Sequence, residues 1–323
     1  MMRATLILLS LLAPILAWTP ALQAANYPDH PVKVIVPFPA GGVTDIATRI
    51  IAQKLSERLG QQFYVEDVGG AGGNIGMADA ARAPGDGYTV LFASSSIVVN
   101  PSLYKKIPFD VDKDFIPVTK AGASPNAWIV KSDFPAKTMR ELIDLMKANP
   151  GKYSVASPGT GTTPSLSIEM LKQDFGLNIV AVPFTGGGPM IQSVLGGFTP
   201  ITCAAIGNSV PLIKEGKLRA LAITVNKRLE TLPDVPTFDE IGIKNENAET
   251  MTGVFVPAGT PQPVIDLLQK HISAIVHLPD VKERLLNFGI VPDGDSSTDF
   301  AAYVKDEIAK WKRVIEVGKI NRI

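Results

Sequence analysis

Pro37 Phe38 Pro39 Ala40 Gly41 Gly42 Val43 Thr44 Asp45 and Ser157 Pro158 Gly159 Thr160 Gly161 Thr162 Thr163 Pro164 each follow a short apolar run and precede a helix-like pattern. Both are glycine-rich loops between a strand and a helix N-terminus. The first four amides of a helix have no acceptor within it, and the aligned peptide dipoles place partial positive charge there. The two loops therefore read as two halves of a site for an anion, one that needs neither Lys nor Arg.

Outward from these loops the same alternation continues. Residues 32–37, 62–66, 88–93, 128–131, 153–156, 179–182, 201–205, 218–224 and 253–256 are apolar runs rich in Val and Ile, without polar alternation. That is the pattern of strands buried on both faces. Between them lie helical spacings, such as Ile46, Ile50, Ile51, Leu55 and Leu59, then Val264, Leu268, Ile272 and Ile275, and a final amphipathic segment at 299–317. Gly60, Gly151 and Gly289 read as helix stops, and Thr163 as a cap with Pro164 at the first helical position. The expected fold is α/β, doubly wound, with two lobes and a ligand cleft between them. Crossings are placed near 122–126 and 225–236. Lobe 1 is then 26–124 with 226–323, and lobe 2 is 125–225.

Composition narrows the function classes. Of 323 residues, the first 25 read as an export signal: Arg3 is the positive start, residues 4–18 an apolar core broken by Pro14, and residues 21–25 a small-residue cleavage zone. The core is too short and interrupted to span a bilayer. The mature chain is expected to be soluble, exported and large enough for two domains. The whole sequence balances 31 basic against 31 acidic residues, which gives no broad attraction for nucleic acid or an anionic membrane. Cys203 is the single cysteine, so an intramolecular disulfide or a cysteine metal cluster is excluded; it reads as a small buried strand residue. The histidines are His30, His271 and His277, the last two about 240° apart around one helix, so no zinc pair forms. The run Gly69 to Gly76 fails GxGxxG because Ile75 holds the third glycine position, and Gly-x-Ser-x-Gly does not occur. No cofactor, metal or catalytic residue is expected.

The motifs form an ordered series. They include Tyr27 Pro28, the two loops above, Leu59 Gly60 Gln61, Gly69 Gly70 Ala71 Gly72 Gly73 Asn74 Ile75 Gly76, and Gly85 Asp86 Gly87 Tyr88 Thr89. Pro183 Phe184 Thr185 Gly186 Gly187 Gly188, Leu195 Gly196 Gly197, Gly216 Lys217 Leu218 Arg219 Ala220, Leu232 Pro233 Asp234 Val235 Pro236 Thr237 and Pro257 Ala258 Gly259 Thr260 Pro261 follow. Over essentially the whole mature chain this series resembles the Bug-type solute receptors, the extracytoplasmic binding proteins of tripartite tricarboxylate transporters. The resemblance implies a type II periplasmic-binding-protein fold that closes on a small carboxylate and then engages integral-membrane subunits. A monomer is the default for such a receptor. Three positions depart from the family's habit: Phe184 stands where Tyr is common, Thr202 Cys203 Ala204 Ala205 where a polar pair is common, and Met251 Thr252 near a frequent Trp. These imply an aliphatic or aromatic carboxylate rather than an amino acid or citrate.

Candidate ligand-binding residues follow from the loops and the resemblance together. In the first loop they are Phe38, Ala40, Gly42, Val43, Thr44 and Asp45. Asp45 either accepts a hydrogen bond from ligand or water, or serves its own helix's first turn. Ser94, Ser95 and Ser96 follow a strand at its carboxyl end, the edge at which open α/β sheets bind ligands. Ser157, Thr160, Gly161, Thr162 and Thr163 offer hydroxyls and amides. Phe184, Thr185, Gly186 and Gly187 form a third loop, and Ala205 ends a strand. Arg49, one turn into the first helix, could reach the cleft but is read as solvated or ion-paired. A carboxylate-sensing partner of a signalling protein, and an enzyme using Asp45 as a base, are the alternatives.

Overall fold

The computed structural model describes residues 26–243 and 248–323; the export signal expected at 1–25 lies outside the described residues. In chain order, β1 (Val32–Val36) leads to α1 (Val43–Leu59), β2 (Phe63–Asp67) to α2 (Asn74–Ala81), and β3 (Thr89–Ala93) to α3 (Ser96–Leu103) and one turn, α4 (Val111–Asp114). The long β4 (Phe115–Lys131) is followed by α5 (Met139–Ala148), β5 (Ser154–Ser157), α6 (Thr163–Phe175), β6 (Val180–Pro183) and α7 (Gly187–Leu195). Next come β7 (Ile201–Ala205), α8 (Val210–Lys214), β8 (Leu218–Ile223), β9 (Glu249–Pro257), α9 (Gln262–Val276), α10 (Pro279–Asn287), β10 (Val291–Pro292) and α11 (Ser297–Val317).

The strands lie in the order β2-β1-β3-β9-β4-β7-β5-β6, with β8 and β10 also on β4. Within each lobe the βα units pair in parallel, β1 with β2 and β3, and β5 with β6 and β7. β4 is antiparallel to every neighbour: its first part pairs with β9 and β10, its last with β7 and β8. One strand thus belongs to both sheets and forms a limb of the hinge.

Apolar faces on both sides of each sheet explain the continuous hydrophobic runs. In lobe 1, Val34, Val90 and Val254 face α1 and α9, while Ile35, Leu91 and Phe255 face α3 and α11. In lobe 2, Trp128, Val155 and Cys203 pack with α5 and α6, while Ala127, Ala156 and Ala204 pack with α7. Cys203 is fully buried, and burial pushes its thiol well above the ordinary range.

The strand expected at 128–131 extends back to Phe115. Pro117, Gly122 and Pro125 conceal the extension, and the pairing with β9 slips at Pro117/Thr119 and at Lys120/Gly122. Bulges let a proline-bearing strand continue by leaving one residue unpaired at each slip. The second crossing also differs from expectation. Residues 225–243 stay on lobe 2, with Leu229, Leu232 and Val235 beside Ile129, and Phe238 and Ile243 beside Trp128. Backbone bonds from Ile223 N to Pro236 O and from Phe238 N to Ile223 O tie the segment against β8. Thr162, not Thr163, caps α6: its Oγ1 accepts from Ser165 N at 3.4 Å, and Pro164 falls within the first turn.

Candidate functional site: a cleft between helix N-termini

Three helices from two lobes begin at the cleft. α1 starts after Gly42 and α7 after Gly186, and neither has a side-chain cap, so their leading amides face outward without a partner in the helix. α6 starts after Thr162, whose hydroxyl serves Ser165 N and also donates to Gly159 O at 2.7 Å. The lobes are in contact here: the glycine end of α7 meets Pro39, Ala40 and Gly42. Gly161 has φ +86°, and a Cβ there would lie 2.5 Å from Asn100 Oδ1 of lobe 1. Glycine is the residue that permits both that backbone and that approach. Across the cleft mouth Asn208 Nδ2 donates to Gly41 O at 2.6 Å.

The inner cavity has a volume of about 60 Å³. It is lined by Gly42, Val43, Thr44 and Asp45 at the start of α1, Ser94, Ser95 and Ser96 between β3 and α3, Thr162 and Thr163 at the start of α6, and Gly187 and Ala205. Among the described residues, no Lys or Arg lines it. Sequence reasoning missed Pro39, Pro158, Pro164, Met190, Ala204, Asn208 and Thr250, which complete the wall. Thr250 had a signal, since it sits at the start of an apolar strand; Asn208 had none.

Several hydroxyls are already engaged. Ser94 Oγ and Ser96 Oγ are 2.9 Å apart, and Ser95 Oγ donates to Glu249 O at 3.0 Å while accepting from Met251 N at 2.9 Å. Thr163 Oγ1 donates to Glu249 O at 3.0 Å and accepts from Asn126 Nδ2 at 3.1 Å; Asn126 Oδ1 accepts from Thr250 Oγ1 at 2.9 Å. Ser95 and Thr163 thus tie β3 and α6 to the hinge strands, which positions the cavity floor.

Asp45 serves its own loop. Oδ2 accepts from Gly41 N at 2.7 Å and Oδ1 lies 2.6 Å from Arg49 Nε. Arg49 Nη2 in turn lies 2.5 Å from Asp67 Oδ2. Burial, then the charge of Asp45, holds the Asp67 carboxyl above the ordinary range, and Arg49 opposes both. Arg49 is therefore ion-paired, as its position suggested.

A second, outer chamber of about 530 Å³ adjoins the first, and Phe38, Pro39 and Pro158 line both. Phe184, Thr160 and Thr185 line this outer chamber and not the inner one, together with Asp67, Tyr104 and the glycines at 69–73. Ala40, Ser157, Gly161 and Gly186 line neither; they shape the loops that do.

Two α/β lobes, a strand common to both and a cleft ringed by helix N-termini are the architecture of periplasmic solute-binding proteins. The family can be stated further: residues 47–320 match the tripartite tricarboxylate transporter family receptor, and the chain belongs to that family. It is a family of periplasmic receptors, not of enzymes. The chain is similar to the periplasmic binding protein BugD, at 34% identity and TM-score 0.87 over 91% of this chain and 99% of that one. It is similar to a Rhodopseudomonas palustris protein solved with adipate, at 32% identity and TM-score 0.88 over 92% and 100% of the two chains. MatC of the same organism, solved with bound malate, matches at 31% identity and TM-score 0.84 over 90% and 100%.

Proposed function

We propose that this protein captures a small carboxylate in the periplasm by lobe closure and delivers it to the integral-membrane subunits of a tripartite tricarboxylate-type transporter, acting as a monomer. The observation that carries the reading is the convergence of the α1, α6 and α7 N-termini, from both lobes, on one cavity that no basic side chain lines among the described residues. Adipate and malate in the related structures support a carboxylate as the class. Engagement of Asp45 by Gly41 and Arg49 weighs against its use as a base.

Magnitudes require both lobes. Micromolar affinity needs about 8 kcal/mol, whereas one helix terminus contributes roughly 0.3–1 kcal/mol, or about 2 when partly buried. About four to six charge-assisted bonds, at roughly 1.5–3 kcal/mol each, reach the total after ordering costs. The amides of Val43 and Thr44 and those of Thr163, Gly187 and Gly188 are the donors, and they assemble only in the closed form.

A thermal-shift screen of the mature protein against carboxylates, their amides and their esters tests the reading. Ligand at 100 times Kd stabilises by about 2.7 kcal/mol. Stabilisation by an acid and not by its amide is the expected result; no shift with any carboxylate sinks it.

A further inference from the structure

The two chambers differ in size and chemistry, and together they restrict the ligand. The inner chamber, at about 60 Å³, is the smaller and the outer, at about 530 Å³, the larger, and the two meet at Phe38, Pro39 and Pro158. The smaller suits the carboxylate end, and a bulkier body extends past these three residues into the larger.

The outer chamber presents aromatic rings from both lobes: Phe38 and Tyr104 from one, Phe184 from the other. Among the described residues, no basic side chain lines it, and the carboxylate that does is Asp67. Arg49, which pairs with Asp67 Oδ2, is also engaged by Asp45, so its guanidinium is not free to meet a second ligand carboxylate at this wall. A second carboxylate placed there meets like charge in a partly desolvated space. The edges and faces of three aromatic rings instead suit an uncharged ring, for which they supply large contact area and preferred stacking geometries. Burial raises the Tyr104 hydroxyl above its ordinary pKa, so it stays neutral beside such a ring.

We propose that the ligand occupies both chambers as a monocarboxylate with an uncharged aryl body, its carboxylate held in the inner chamber and its ring clamped between Phe38, Tyr104 and Phe184. The proposal rests on the receptor reading and adds the ligand's length, charge and ring. Closure then acts on the ligand twice, bringing amides to the carboxylate and Phe184 to the ring.

Calorimetric titration of the mature protein with propionate, 3-phenylpropionate and adipate tests it. The expected result is that 3-phenylpropionate binds at least tenfold tighter than either other acid. Phe184→Ala is expected to reduce the phenylpropionate-to-propionate affinity ratio about tenfold, and Phe184→Leu, which keeps most of the packing, to reduce it less. Adipate binding tightest, equal affinities for propionate and 3-phenylpropionate, or an unchanged ratio in both variants overturns the two-chamber assignment while the receptor reading stands. No binding by any of the three acids overturns the receptor reading and this proposal with it.

Discussion

Asn208 and Asp67 carry consequences out of proportion to their visibility. Asn208 Nδ2 reaches across the cleft to Gly41 O, so it stabilises closure without belonging to either lobe's core. A net hydrogen bond contributes about 0.5–1.5 kcal/mol. Asn208→Ala should therefore weaken carboxylate binding about two- to tenfold with little change in melting temperature, as titration calorimetry and a thermal melt will show. Asp67 reports on pH. Its folded pKa is raised, first by burial and then by Asp45, so the folded protein holds that proton more tightly than the unfolded chain. Stability from this group is fully present below the unfolded carboxylate pKa, about 3.9, and is lost as pH rises through the raised folded value. Urea denaturation from pH 3.5 upward should show wild type losing stability relative to Asp67→Asn across that window. Parallel profiles for the two proteins would falsify the assignment.

At the scale of elements, the α6 N-terminus combines a structural duty with a place in the cavity wall. Thr162 Oγ1 accepts from Ser165 N and donates to Gly159 O, which fixes the loop that aims the first amides of α6. Loss of a Thr cap costs about 0.5–2 kcal/mol. Thr162→Ala should lower the melting temperature by roughly 2–4 °C and weaken ligand binding, whereas Thr162→Ser should restore both. A variant that melts like wild type would show that the cap bond is idle. Nearly all the strands were legible in the sequence because strands buried on both faces leave uninterrupted Val and Ile runs, as at Val32–Val36 and Thr89–Ala93. The first half of β4 was not, since Pro117 and Pro125 imitate loop signals and only pairing with β9 holds them extended.

For the whole molecule, the decisive contacts sit where the lobes exchange chain. Asn126 donates to Thr163 Oγ1 and accepts from Thr250 Oγ1, and its carbonyl accepts from Thr224 N at 2.9 Å. One fully buried side chain thereby couples β4, α6 and β9. Asn126→Ala leaves two hydroxyls short of a partner, each costing about 1–3 kcal/mol in a buried setting. Destabilisation of about 2–4 kcal/mol and a broader or split urea transition, from lobes less tightly coupled, are expected. A single sharp transition at the wild-type midpoint would remove Asn126 from the hinge. A second network lies behind the hinge. Burial presses the Lys120 ammonium down, but Glu249 and Asp293 more than offset it, so it holds its proton above the usual lysine range.

Local patterns in the chain determined which residues form strands and helices, which loops end at helix N-termini, and that an anion suits them. Periodicity and unpaired amides are properties of short segments, and so they can be read without coordinates. Tertiary structure decided how those loops meet. It divided the candidates between two chambers, with Ser94 to Ser96 and Thr162 in the inner one and Phe184 and Thr185 in the outer. It assigned Asp45 to Gly41 and Arg49, and it brought Asn208 to a loop 167 residues away. Contacts at such separations depend on how two lobes close about shared strands, a geometry that no local pattern encodes.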